Sequence, residues 1–430
     1  MKSIIPPINI LPFSSSLQGR GRGRGFFFLP LLLSLLLSGC IEEYDADLPA
    51  AQTELLVVEG NICSSQLNTF TITRTIRYSV DPFGEIQEPI KASVAVRGSD
   101  GSECVAEETS YGYGVFRCML GELSPDVEYW LHIEADGEVY ESEHQRPLPT
   151  EEIADVHAVQ STPESDIDVI ITPDAPAQPG TANYYTWTYD ETWEVQPEYT
   201  TTIYYDTQLK RPVSKLGQFP ERGWMDAKSN IIIIGASRNY QDQHIRGMKI
   251  YDISRSSTKV WVKYSGLVHQ RAISKGEYEY EMARRQASSE MGGLFTPQPS
   301  ALPTNIRCLT SDRRVIGYVG CSLNTTERRF FINSIDFSIY HPLQPDRRMW
   351  LIDPRTDGPF DDLSAAVYYG YYLCFWEDTR DQEGGHLRTA WATRSQLDVR
   401  EMGAYIEEPY FWSWEQRGGH QPSPANNREK

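Results

Sequence analysis

Short apolar runs separated by turn residues recur along the chain from Thr53 onward. Leu55 to Val58 opens the series, Phe70, Ile72 and Ile76 alternate with Thr and Arg, and Val94 and Val96 lead into Ser99-Asp100-Gly101. A period of two puts successive side chains on opposite faces of an extended backbone, so these runs predict β-strands. Gly114 to Leu120 and Tyr129 to Ile133 continue the pattern, and Asp136-Gly137 before Val139 and Tyr140 predicts a hairpin turn. Pro147-Leu148-Pro149 ends the series, because proline supplies no ladder donor. Residues 53–147 therefore read as an immunoglobulin-like β-sandwich.

A larger β-rich region is expected over residues 150–414. Its strands are Asp168 to Thr172, a long run from Tyr184 to Trp193, the isoleucines Ile231 to Ile234, Val260 to Ile273, and Arg329 to Ile339. The aromatics Tyr184, Tyr185, Trp187, Tyr189 and Trp193 read as the wall and core of a sheet rather than as a carbohydrate platform. One stretch breaks the period. Residues 274–291 predict an inserted helix, with Ser274 and Glu277 as a capping box, Tyr280, Ala283, Ala287 and Met291 on one stripe, and Gly292-Gly293 as a stop. Asn305 to Leu309 and Val315 to Gly320 read as a hairpin, and residues 415–430 as a disordered tail. The fold class is mainly β.

Composition narrows function by exclusion. The net charge is −19, which repels a phosphate backbone and argues against nucleic-acid binding. Phosphate loops, nucleophile elbows, dinucleotide fingerprints and zinc-ligand spacings are all missing from the sequence. No catalytic residue, cofactor or metal is nominated. Two acidic loops, Asp353 to Asp362 (with Asp357 and Asp361) and Asp378 to His386, carry oxygen ligands of the kind Ca²⁺ uses, but their spacing is not that of an EF-hand and a solvated loop is the simpler reading.

The first 39 residues read as a removable signal. Arg20, Arg22 and Arg24 precede the apolar stretch Phe26 to Leu37, which is shorter than the roughly 20 residues that span a bilayer. Leu37-Ser38-Gly39-Cys40 follows as a lipobox, so Cys40 is expected to carry a diacylglycerol anchor into membrane lipid. Residues 40–52 form an acidic tether with Glu42, Glu43, Asp45 and Asp47. Export implies an oxidising compartment for the other six cysteines. Cys104 and Cys118 flank one turn signal, Thr109 to Gly112; Cys308 and Cys321 flank another, Ser311 to Arg314. Each pair is a disulfide candidate, with Cys63 and Cys374 left unassigned.

Several segments together carry a family resemblance. Val260-Trp261-Val262-Lys263-Tyr264, Ile273-Ser274, Tyr278-Glu279-Tyr280, Gly292-Gly293-Leu294-Phe295, Pro297 to Ser300, Asn305 to Cys308 and Val315 to Tyr318 stand in the order and spacing of a Bacteroidota lipoprotein family catalogued as DUF4249. Leu56 to Gly60 and Tyr140-Glu141-Ser142 resemble its first part. The end departs from the family: Cys374, Gly384-Gly385 and Pro409-Tyr410-Phe411-Trp412 are present, whereas the second cysteine of a Cys-x-x-Cys element is missing. The resemblance implies an outer-membrane lipoprotein working beside a TonB-dependent receptor, and the acidic tether resembles an export signal to the cell exterior. The expected function is a non-enzymatic accessory that binds a ligand or partner. An envelope structural or adhesive module and a carboxylate-dependent hydrolase are the alternatives.

Overall fold

Residues 55–75, 90–109, 114–175, 183–290, 302–341, 349–352, 363–382 and 385–413 are described in this computed structural model. The signal, Cys40 and the tether residues Glu42, Glu43, Asp45 and Asp47 lie outside them, as do Asp353, Asp357, Asp361, Asp362 and the tail.

The chain is mainly β, as its period-two patterning predicts. Seven strands come first: β1 (Leu56–Cys63), β2 (Leu67–Arg74), β3 (Ala92–Gly98), β4 (Glu103–Glu108), β5 (Val115–Met119), β6 (Tyr129–Ala135) and β7 (Glu138–Ser142). The Asp136-Gly137 turn joins β6 and β7 with φ of 55° and 78°, the paired positive values that a primed hairpin turn requires. Next come β8 (Ile153–Val159), β9 (Ile167–Pro173), β10 (Tyr184–Val195), β11 (Ile203–Asp206), β12 (Arg211–Ser214), β13 (Gly223–Lys228), β14 (Ile233–Ala236), β15 (Met248–Ile253) and β16 (Lys263–Ile273). Helix α1 (Lys275–Glu290) precedes β17 (Ile306–Cys308), β18 (Val315–Ser322), β19 (Thr326–Asn333), β20 (Trp350–Ile352), β21 (Tyr371–Asp378) and β22 (Leu387–Thr393).

The immunoglobulin-like sandwich expected over 53–147 is not confirmed. Its seven strands belong to a nine-stranded sheet of order β17-β7-β6-β3-β4-β5-β2-β1-β18, whose two ends come from residues 306–322. β18 runs parallel to β1, with Leu56 opposite Val315 and Cys63 opposite Ser322. The sheet curls until its ends nearly meet around a core of Val58, Phe70, Ile72, Phe116, Leu131, Ile133 and Val319. β17 and β18 share no ladder. Asn305 spans the gap instead: its Nδ2 donates to the Val319 carbonyl at 2.8 Å and its Oδ1 accepts from the Val319 amide at 3.0 Å. The hairpin expected from residues 305–320 is thus an almost-closed barrel seam.

A second core lies between the sheet β13-β10-β16-β19, which β14 joins on β10, and the three-stranded sheet β15-β9-β8. Tyr185, Trp187 and Trp193 of β10 are buried in it, as expected for a sheet wall. A third, smaller core forms where Tyr205 meets Ile352, Leu373 and Trp391 of the sheet β20-β22-β21.

Helix α1 clamps the first two sheets together. Ser274 accepts from the Glu277 amide at 3.1 Å, which is half of the expected capping box. The Glu277 carboxylate does not return to Ser274; it takes the Arg271 guanidinium at 2.5 and 3.2 Å, while Arg271 also donates to Asn61 of β1 at 2.9 Å. Tyr318 of β18 meets the Ser274 hydroxyl at 3.0 Å and packs on Tyr280 at 5.8 Å. Ser274, Tyr280 and Tyr318, taken from separate segments of the sequence signature, therefore serve one joint. No helix among the described residues is long and apolar enough to cross a membrane.

Candidate functional site

Alternation along β16 separates two chemistries. Tyr264, Val268 and Ala272 enter the core, whereas Lys263, Leu267, His269 and Arg271 stay partly exposed on the other face. Register carries this polar face across the sheet, setting Asp190 beside Lys228 and Leu267, Thr192 beside Asp226 and Ser265, and Leu267 beside Arg329. The outcome is a charged face on a sheet whose other side is closely packed.

His269 bridges two acids on this face, with Nδ1 at 3.2 Å from Glu327 and Nε2 at 3.4 Å from Asp190. Burial alone would lower the imidazole pKa, but the two carboxylates outweigh it and the net direction is upward. Glu327 is correspondingly lowered, chiefly by its hydrogen bond to His269.

The C-terminal segment 403–413 lies along the same face as a clasp. Tyr405 exchanges two backbone hydrogen bonds with Trp224 of β13, at 2.8 and 3.0 Å, and its hydroxyl donates to Asp226 at 3.1 Å. Gly223 is required at this crossing, because a Cβ there would stand 2.8 Å from Val399 and 2.9 Å from Ala404. Phe411 lies under the Arg329 guanidinium at 3.5 Å. Trp412 is buried against Trp224 and Phe331, its Nε1 donates to Glu194 at 3.2 Å, and its carbonyl accepts from Lys263 at 3.0 Å.

Where the clasp ends, a cleft of about 690 Å³ opens between Glu194, Arg222, Lys263, Asn333, Glu408 and Trp412. Arg222 grips Glu194 in a two-pronged pair at 2.9 and 3.0 Å. Burial would raise the Glu194 pKa, but Arg222 and the Trp412 donor overcome that and hold it below the ordinary carboxylate value. Lys263 sits 4.6 Å from the Phe331 ring centroid and 5.3 Å from that of Trp412. The cleft can offer paired charges and hydrogen-bonding groups on an aromatic base, the makings of a recognition surface.

The expected cysteine pairs fare differently. All six described cysteines carry free thiols. Cys104 and Cys118 lie on the neighbouring strands β4 and β5, the Cys104 thiol donating to the Met119 carbonyl at 3.5 Å. Cys308 and Cys321 lie on β17 and β18, which share no ladder. Cys308 contacts Glu138, Thr310 and Ser311, while the buried Cys321 has Cys63, Glu277 and Arg271 as its charged or titratable neighbours. Symmetry about Ser311 to Arg314 misled, because the Asn305 bridge sets a different register across that turn. In the second acidic loop Asp378 is engaged by Arg380 at 2.8 and 2.7 Å, which holds its carboxyl at about 2. No group of three or more His, Cys, Asp or Glu able to hold a metal occurs among the described residues.

Sequence reasoning did not nominate the cleft. Lys263 and Trp412 stood in segments that carried the family resemblance, without a role, and Glu194 and Arg222 had no signal beyond their charge. A protein-family model described as "Domain of unknown function (DUF4249)" matches residues 41–328 of the 430-residue chain. No curated protein matches it.

Proposed function

On the premise that the chain belongs to the DUF4249 family, we propose that it is a lipid-anchored lipoprotein of the outer membrane, facing the cell exterior, which binds a ligand or partner for a TonB-dependent transporter and leaves it chemically unchanged. The observation that carries the binding reading is the cleft at the end of the clasp. Its charges are already engaged, Arg222 with Glu194 and Lys263 with the Trp412 carbonyl. Such groups favour holding a partner through exchange of hydrogen bonds over supplying a free acid or base to a reaction. Anchoring is supported by Leu37-Ser38-Gly39-Cys40, and outward display by Glu42, Glu43, Asp45 and Asp47.

The test is a pull-down of the detergent-solubilised protein followed by mass spectrometry. A TonB-dependent receptor should co-purify, and Arg222→Ala combined with Lys263→Ala should reduce its recovery several-fold. Cys40→Ala should release the body from the membrane fraction. Failure to recover a receptor, together with normal uptake in a deletion strain, would favour the structural module. Turnover of a glycan or peptide by purified protein, abolished by one carboxylate substitution, would establish a hydrolase.

A further inference from the structure

We propose that the cleft at the end of the clasp is one half of a protein-docking surface centred on Ile335, and that its partner presents an apolar socket beside a basic group. This rests on the receptor-binding reading above and names the part of the surface the receptor would grip. Ile335 lines two clefts at once: the one already described, and a second of about 570 Å³ that runs beside residues 158–163. At 91% exposed, it is the most open large apolar side chain among the described residues.

A single exposed isoleucine on a loose loop would mean little. Here the backbone beneath it is fastened on both sides. The Ser334 amide donates to the Val262 carbonyl at 3.0 Å, and the Phe337 amide closes the turn onto the Ser334 carbonyl at 3.3 Å. Gln160 then holds Ser338 twice, accepting from its amide at 2.8 Å and donating to its carbonyl at 3.3 Å. Phe337 packs against the second core. The turn therefore presents Ile335 with its ordering cost already met by the fold.

The surroundings have the layout of an interface. Val262 on one side and Val159 and Phe337 on the other continue the apolar surface, inside a rim that includes Arg222, Lys263 and Asp336. A small ligand would fill one cleft and leave the projecting side chain in water, whereas a protein surface can receive Ile335 and reach into both. Charge narrows the partner further. Arg222 and Lys263 are already engaged, but Asp336 is exposed and has no ion-pair partner among the described residues, so a basic group is its complement. A second copy of the chain would set like charge against like, at −19 on each.

The test places a photo-crosslinker, Ile335→p-benzoylphenylalanine, in the full-length chain and irradiates intact cells. An adduct is expected with the same receptor that co-purifies with the wild type. Leu351→p-benzoylphenylalanine, at a position 71% exposed that lines neither cleft, should give none. In the pull-down, Ile335→Asp and Asp336→Lys should each reduce receptor recovery several-fold with an unchanged thermal midpoint, and Leu351→Asp should not reduce it. Equal recovery by the wild type and Ile335→Asp, with no adduct at 335, would overturn the docking surface and leave the receptor reading standing. An adduct between two copies of the chain would also overturn it. A receptor found neither by pull-down nor in an adduct would defeat both readings, whatever other protein is captured at 335.

Discussion

His269 shows how a single side chain couples this molecule to pH. Its imidazole is raised above the ordinary 6.5 and Glu327 is lowered below the ordinary 4.5. A raised histidine contributes stability that is full below its unfolded value and is lost as pH rises through the folded one. The lowered glutamate contributes above its unfolded value and loses that contribution as pH falls through its folded one. Their joint effect is therefore greatest between the unfolded values of about 4.5 and 6.5, and declines as pH rises through the raised value of the imidazole. Both side chains are partly exposed, so the contribution should be about 0.5–1 kcal/mol. Denaturation midpoints measured from pH 5 to 8 should fall for the wild type and stay flatter for His269→Gln. Parallel curves would show that the imidazole exchanges its partners with water at no net cost.

At the scale of elements, the clasp is the part whose removal should be felt most. Trp412 is 3% exposed, packs on the rings of Trp224, Phe331 and Phe411 and gives its indole donor to Glu194. Trp412→Ala should cost about 3 kcal/mol, since the cavity and the lost indole contacts add together. Trp412→Phe should recover most of the packing but leave Glu194 with one donor fewer. Denaturant unfolding would separate the two; an unchanged midpoint in Trp412→Ala would mean that the clasp is not held by its indole. The strands β10 and β16 were legible because one face of each is buried and periodicity records burial. The N-terminus of α1 was legible because Ser274 and Glu277 act locally. The reach of Glu277 to Arg271 was not legible, nor was the seam at Asn305, since a side chain that replaces a ladder leaves no periodic trace. For the cleft, Glu194 sits in an alternating strand like any solvated acid, and only register and the returning C-terminal segment bury it.

For the whole molecule, the parallel pairing of β1 with β18 decides what can fold alone. Alternation predicted the strands between residues 53 and 147 but carried no information about which strands pair, so a self-contained sandwich was expected where the first sheet takes its edge strands from residues 306–322. A fragment of residues 53–147 would leave both β1 and β7 with bare edges and would uncover the core side of Val58 and Ile62, a known route to association. Expressed by itself, this fragment should be aggregated or poorly protected in amide hydrogen exchange, whereas the chain through residue 413 should show a cooperative transition. A monomeric, well-protected fragment would mean that β17 and β18 are additions to a domain already complete.

The same pairing sets a timetable. Leu56 leaves the ribosome long before its partner Val315 exists, and at about 5–20 residues per second the intervening chain takes roughly 13–50 s to make. Throughout that interval the leading strand has no ladder on one side, so the first sheet cannot be finished until β18 has been made. Under the proposed export, passage through a membrane in extended form would gain from this delay: the N-terminal half is kept from locking early by the late arrival of β18.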